Sequence, residues 1–157
     1  HQLARDLRDT VWIVHAGHDR LGDLVGRMHE AARQMLADHR YTFDAPTDLP
    51  PLAIGMEVRR HVFLIYKEAL HNAVRHAGAT RIDVAVAYDD GRLSVTVADD
   101  GTGFDPATVR RGRGLRTMQA RADECGARFA VTSRPGHGTV VRLSVHAARQ
   151  RGTYTGD

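Results

Sequence analysis

The chain has 157 residues, of which 42% are aliphatic, aromatic or cysteine, and 15 more are glycine, which suits one globular domain with an appendage at most. A charged fraction of 26% excludes a generic disordered or fibrous chain, and no stretch approaches the roughly 18 uninterrupted apolar residues of a membrane span. The net charge is only +3, from 22 basic and 19 acidic residues, and with nine aromatics (one Trp, four Tyr, four Phe) nucleic acid is not expected as a partner.

In chain order, Leu21, Leu24, Val25, Met28, Ala32, Met35 and Leu36 recur at helical spacing, with Asp19 in the place of an N-cap. Arg40 to Phe43 reads as a short strand, and the three prolines between Ala45 and Pro51 mark a loop. A second helix is predicted from Met56 to His76, with Gly78 placed as its C-cap. From Thr80 the period becomes two. Ile82, Val84, Val86 and Tyr88 alternate with polar or small residues, Asp89-Asp90-Gly91 signals a hairpin, and Leu93, Val95 and Val97 return. A third helix is expected from Leu115 to Cys125, followed by a hairpin in which Phe129 and Val131 face Val141, Leu143 and Val145. Early helices and late strands predict an α+β fold, a two-layer α/β sandwich with a mixed sheet of about five strands and three helices on one face.

Four places concentrate polar chemistry. On the second helix, Val62, Tyr66, Ala69, Leu70, Ala73 and Ala77 form an apolar stripe, and Glu68, Asn72 and Arg75 lie on the opposite side with His76 at its edge. A carboxylate, an amide oxygen and a guanidinium one turn apart suit a hydrated metal and a polyphosphate, although an ordinary solvated face has the same pattern. Asp99-Asp100-Gly101-Thr102-Gly103-Phe104 follows a strand; its glycines permit close backbone approach, and a carboxylate there can accept a hydrogen bond from an exocyclic amine. Gly112-Arg113-Gly114-Leu115 opens a helix, where free N–H groups and the dipole favour anions. Gly136-His137-Gly138-Thr139 is compatible with no more than a tight turn. A P-loop is excluded because the only lysine is Lys67, and the dinucleotide fingerprint lacks its third glycine.

Together these motifs resemble, in order and spacing over residues 19 to 146, the ATP-binding catalytic domain of bacterial sensor histidine kinases in the GHKL superfamily. The run Lys67 to Ala77 resembles the N box of that family, and the three glycine motifs resemble its glycine boxes. The Arg-His-Ala ending of the N box and a lid of only Asp105 to Arg111 point to the NarX/DesK-like subclass. The resemblance implies the Bergerat ATP-binding fold, with ATP and Mg²⁺ as ligands. It implies that Asp99 receives the adenine amine, with Gly101 and Gly103 shaping that loop and Thr139 near the base. Asn72 would bind Mg²⁺, Arg75 and the backbone of Gly112, Gly114 and Leu115 would meet the phosphates, and His76 would belong to the cofactor-binding residues. Glu68 matches an acid that activates water in hydrolytic relatives. The implied partners are a histidine-bearing dimerisation domain and, indirectly, a response regulator.

Ala4 to Asp9 resembles the acceptor motif of the subclass, but Arg8 stands where the histidine would be, and a guanidinium cannot serve as the nucleophile. Residues 1–18, with the Val11-Trp12-Ile13-Val14 stretch, are therefore expected to be the end of a dimerisation helix plus linker. Residues 19–147 would be the ATP-binding domain and 148–157 a frayed tail. The chain is read as a monomeric, cytoplasmic piece of a membrane-anchored sensor, without membrane contact of its own. Its single cysteine, Cys125, fits a reducing compartment, and the scattered His15, His18 and His29 have no zinc spacing. The alternatives are a serine kinase of the anti-sigma-factor type, a nucleotide-sensing module without transfer, and a hydrolytic ATPase of the same fold.

Overall fold

The computed structural model describes residues 2–14, 17, 19–75, 78–107 and 112–147. The chain runs through α1 (Gln2–Val14), α2 (Leu21–Met35), β1 (Arg40–Asp44), α3 (Met56–Arg75), β2 (Arg81–Asp89), β3 (Arg92–Asp99), α4 (Arg113–Glu124), β4 (Arg128–Ser133) and β5 (Thr139–His146). The strands form one sheet in the order β1-β2-β3-β5-β4, with β1 parallel to β2 and every other pair antiparallel. This is the expected mixed five-stranded α+β arrangement, with α1 as a fourth helix.

The period-two residues set the register. Val84 pairs with Val97, Val95 with Leu143, and Phe129 and Val131 with Leu143 and Val141. These positions place one apolar face of the sheet in the core, and α2, α3 and α4 supply the other half through Leu21, Leu24, Met28, Phe63, Leu70 and Met118. The β2–β3 hairpin turns at Asp90 and Gly91, both at positive φ, as a two-residue turn between right-twisted strands requires. Tyr66 lies at the centre, its hydroxyl donating to the Met28 carbonyl at 2.7 Å, and burial pushes its phenol pKa well up.

Two boundaries differ from those expected. The α2 N-cap is Arg20 rather than Asp19, because the Asp19 carbonyl is taken by the Ile54 N–H at 2.7 Å and Arg20 bridges to Ala53 in extended conformation. The Arg20 N–H donates instead to the Asp23 carboxylate. α4 starts two residues early: Gly112 is the extended N-cap and its carbonyl accepts from the Arg116 N–H, so Gly114 lies inside the first turn. Ala77 and the end of the expected helix at His76 lie outside the described residues, as does the tail from 148.

α1 is held by its inner face. Asp9 is buried and accepts from both Arg27 of α2 and Lys67 of α3. One turn on, Trp12 packs on Phe63 at 5.7 Å between ring centroids, under the Arg59 guanidinium. Removing a carboxylate shared by two partly buried cations is costly, since both lose that counter-charge. Asp9→Ala is therefore expected to lower stability by about 2–4 kcal/mol in denaturant unfolding. Among the described residues no helix is long and apolar enough to cross a membrane.

Candidate functional site

The alternation of β3 continues past its apolar residues. Leu93, Val95 and Val97 face the helices, and so Asp99, two residues on, carries a carboxylate to the same face at the end of the strand. Beside it lies a cavity of about 510 Å³. Its walls come from Glu68, Ala69 and Asn72 of α3, Val97 and Asp99 of β3, and Thr102, Gly103 and Phe104 of the next loop. Gly112, Gly114 and Leu115 at the start of α4, with Thr139 and Val141 of β5, complete it.

Asp99 is half-buried and accepts a hydrogen bond from the Gly101 N–H at 2.9 Å. Burial raises its pKa above the ordinary aspartate value, against the backbone hydrogen bonds from Gly101 and Thr139 that favour the charged form. Asp100 points elsewhere. It accepts from the Thr80 hydroxyl at 2.6 Å and from the N–H groups of Thr80 and Arg81, which holds its pKa below the usual range and ties the loop to the start of β2. Of two adjacent carboxylates, one faces the cavity and the other anchors its wall.

The first and third glycine motifs pack backbone against backbone. A Cβ on Gly138 would stand 1.9 Å from the Asp99 carbonyl oxygen, and one on Gly103 would stand 2.2 Å from the Arg134 carbonyl oxygen. The Gly136 N–H donates to the Thr102 carbonyl at 2.7 Å. Ser133 locks the assembly: its hydroxyl accepts from the Phe104 N–H at 2.9 Å and lies 3.0 Å from the Gly138 carbonyl and 2.9 Å from the Thr139 hydroxyl. The Gly136–Gly138 segment is a turn leading into β5, and it packs against the loop that walls the cavity.

At the other end, α4 presents its N-terminus. Among the described residues no side chain caps Gly112, and the first-turn amides have no intrahelical acceptor. The turn lies against α3, since a Cβ on Gly114 would come within 2.6 Å of Glu68 Oε1 and 3.6 Å of Asn72 Nδ2. A carboxylate and a neutral amide beside free N–H groups form a hard-oxygen donor set that fits Mg²⁺ held together with phosphate oxygens. Among the described residues there is no cluster of three or more His, Cys, Asp or Glu that could hold a metal by itself.

The structure thus brings Glu68, Asn72, Asp99, Gly103, Gly112, Gly114, Leu115 and Thr139 to one cavity. Gly101 is buried behind it as the donor to Asp99. Arg75 is exposed at the last residue of α3, one turn beyond Asn72, and does not line the cavity. His76 and residues 108–111 of the expected lid lie outside the described residues. Motif reading did not single out Val97, Val141 or Ala69 as wall residues, although strand alternation could have placed the two valines. Ser133 gave no signal, because its partners lie in two other segments. Burial pushes the Cys125 thiol pKa up, which disfavours the thiolate a nucleophile needs.

The chain is similar to sensor kinases in sequence. It is 32% identical over 121 residues to the sensor histidine kinase LiaS of Bacillus subtilis, covering 75% of this chain and 34% of that protein. It is 34% identical over 102 residues to the nitrate/nitrite sensor protein NarQ of Escherichia coli, covering 64% of this chain and 18% of that protein. The chain therefore spans about a third or less of the curated relatives it matches. In fold it is similar to the histidine kinase domain of the Erythrobacter litoralis EL346 blue-light activated histidine kinase, with a TM-score of 0.71 at 21% identity over 94% of this chain and 75% of that one. The profile of the family described as histidine kinase-, DNA gyrase B-, and HSP90-like ATPase matches residues 57–149, which contain every wall residue of the cavity. The chain belongs to this family of ATP-binding domains.

Proposed function

We propose that this chain is the ATP-binding catalytic part of a sensor histidine kinase, which binds Mg-ATP and donates the γ-phosphoryl group to a histidine on a dimerisation domain outside it. The supporting observation is the polarity of the cavity: a half-buried Asp99 at the end of an apolar slot, and an open helix N-terminus flanked by Glu68 and Asn72. Asp99 accepts the hydrogen bond of the adenine amine, and Val97, Val141 and Leu115 exclude water from the base. The amides of Gly112 to Leu115 receive the phosphates, and Arg75 adds charge from the end of α3. Asn72 holds Mg²⁺, which when bound neutralises phosphate oxygens. Glu68, beside Asn72 and Gly114, is the carboxylate that can take a proton from an attacking group.

Residues 1–18 are, in this proposal, the end of the dimerisation helix and its linker. The docking of α1 through Asp9 and Trp12 supports a firm joint between helix and catalytic body. The parent is a membrane-anchored sensor with this part in the cytoplasm, relaying to a response regulator.

Labelled ATP supplied with a separately made histidine-bearing dimerisation domain of the parent kinase tests this. Acid-labile transfer is expected, and it should fall by at least about 100-fold in Asn72→Ala, as expected for removal of a group that holds transition-state charge. Acid-stable label on the acceptor would turn the reading to a serine kinase. Normal transfer by Asn72→Ala would refute the metal role.

A further inference from the structure

A groove runs along the outer side of α3 and α4, away from the sheet. It is made of two hollows of about 250 and 420 Å³ that share Thr117 and Arg121, and Glu68 at its end also lines the nucleotide cavity. Its α3 side carries Arg60, Leu64 and His71, which recur on one helical face and span about 16 Å, three turns of helix. Its α4 side carries Arg116, Ala120 and Arg121. The floor between them is apolar, with Leu64 and the fully buried Met118.

The charge on this groove is one-sided. Arg60 and Arg116 are exposed and Arg121 half-buried, and among the described residues none of the three forms an ion pair. The nearby carboxylates sit at the ends. Glu124 is held by the buried His61 at 3.1 Å, and Glu68 turns to Gly114. Three guanidiniums lining one hollow over an apolar floor, with no ion pair among the described residues, are complementary to an anionic surface that also carries apolar side chains. Among the described residues no phenylalanine, tyrosine or tryptophan lines the groove, so these residues offer no stacking platform for bases.

We infer that the groove between α3 and α4 is a docking site for an acidic amphipathic helix of a partner protein. The partner lays apolar side chains on Leu64 and Ala120 and sets carboxylates against Arg60, Arg116 and Arg121. Because Glu68 closes the groove, the bound helix ends beside the phosphate end of the nucleotide cavity. The inference does not depend on phosphoryl transfer.

Fluorescence anisotropy with the full chain tests it. The probe is a labelled helical peptide of roughly 14 residues, with leucine on one face and glutamate along its flanks, beside the same peptide with lysine for glutamate and a thymidine oligonucleotide of similar length. The glutamate peptide is expected to bind saturably and to weaken as salt rises. Binding should weaken about tenfold or more in Arg60→Glu/Arg116→Glu, whose unchanged melting temperature reports an intact fold. Asp99→Asn should bind the peptide as the wild type does, which keeps this result apart from the nucleotide assignment. Absence of saturable binding, undiminished binding by the charge-reversed variant, equal binding of the lysine peptide, or tighter binding of the oligonucleotide would each overturn the inference.

Discussion

Asp99→Asn is expected to weaken ATP binding by about 10- to 100-fold, the cost of losing a hydrogen bond to a charged group in a site built around it. The substitution keeps the shape and an oxygen for the Gly101 N–H, but puts an amide NH₂ where the adenine amine must be received. It should not harm the fold. The Asp99 pKa is raised by burial, so the folded state holds its proton more tightly than the unfolded chain does. Between the unfolded value and the raised folded value, stability then falls as pH rises, and above that window the charged group costs stability. At neutral pH the neutral amide removes that cost, so the melting temperature of Asp99→Asn should equal or exceed that of the wild type. The same shift predicts that wild-type ATP affinity falls on acidification at a pH above that of an ordinary aspartate, and that Asp99→Asn lacks this step. Calorimetric titrations at several pH values, with thermal melts alongside, read both effects. Unchanged affinity in the variant would remove Asp99 from the site.

Gly138→Ala carries the second large effect. Its φ of +71° lies in the left-handed region, and its missing Cβ leaves the room through which the Asp99 carbonyl passes. The methyl group would collide with backbone, which cannot rotate away as a side chain can. Strained backbone and overpacking together are expected to cost about 3 kcal/mol or more, with a fall in melting temperature of roughly 6–12 °C. Nucleotide binding should fall with it, because the displaced Asp99 carbonyl moves the carboxylate. Gly136→Ala is the control: φ is +78°, but among the described residues nothing lies within 4 Å of the added carbon. Only the conformational cost of about 1–2 kcal/mol is expected there. Equal losses in the two variants, measured by thermal unfolding, would contradict the backbone packing of the two glycine motifs.

Much of this was readable locally. Leu21, Leu24, Val25, Met28 and Ala32 repeat at helical spacing, and all are buried in α2. The alternation in β2, β3 and β5 fixed both face and register, because a slip of one residue would expose every valine. The wall of the cavity was legible wherever a motif is contiguous, as at Asp99–Phe104 and Gly112–Leu115. What escaped depends on distant partners. Asp9 looks like an ordinary surface aspartate, yet its cations are 18 and 58 positions away. Arg59 and His61 look solvated in sequence and are buried, because α3 is flanked by other helices as well as by the sheet. The α2 N-cap moved by one residue because a bridge from the loop at Ala53 captured the backbone there. Ser133 is one serine among several until β4 and β5 pair and bring it under Phe104 and Gly138.

The most direct test of the account is a map of backbone amide chemical shifts of the labelled chain as Mg-ATP is added. The predicted result is saturable shifts at Asp99, Gly101, Gly114, Leu115 and Thr139, with Arg60 and Arg116 little moved. Shifts confined to other surfaces, or no saturable shift at all, would contradict the nucleotide site described here.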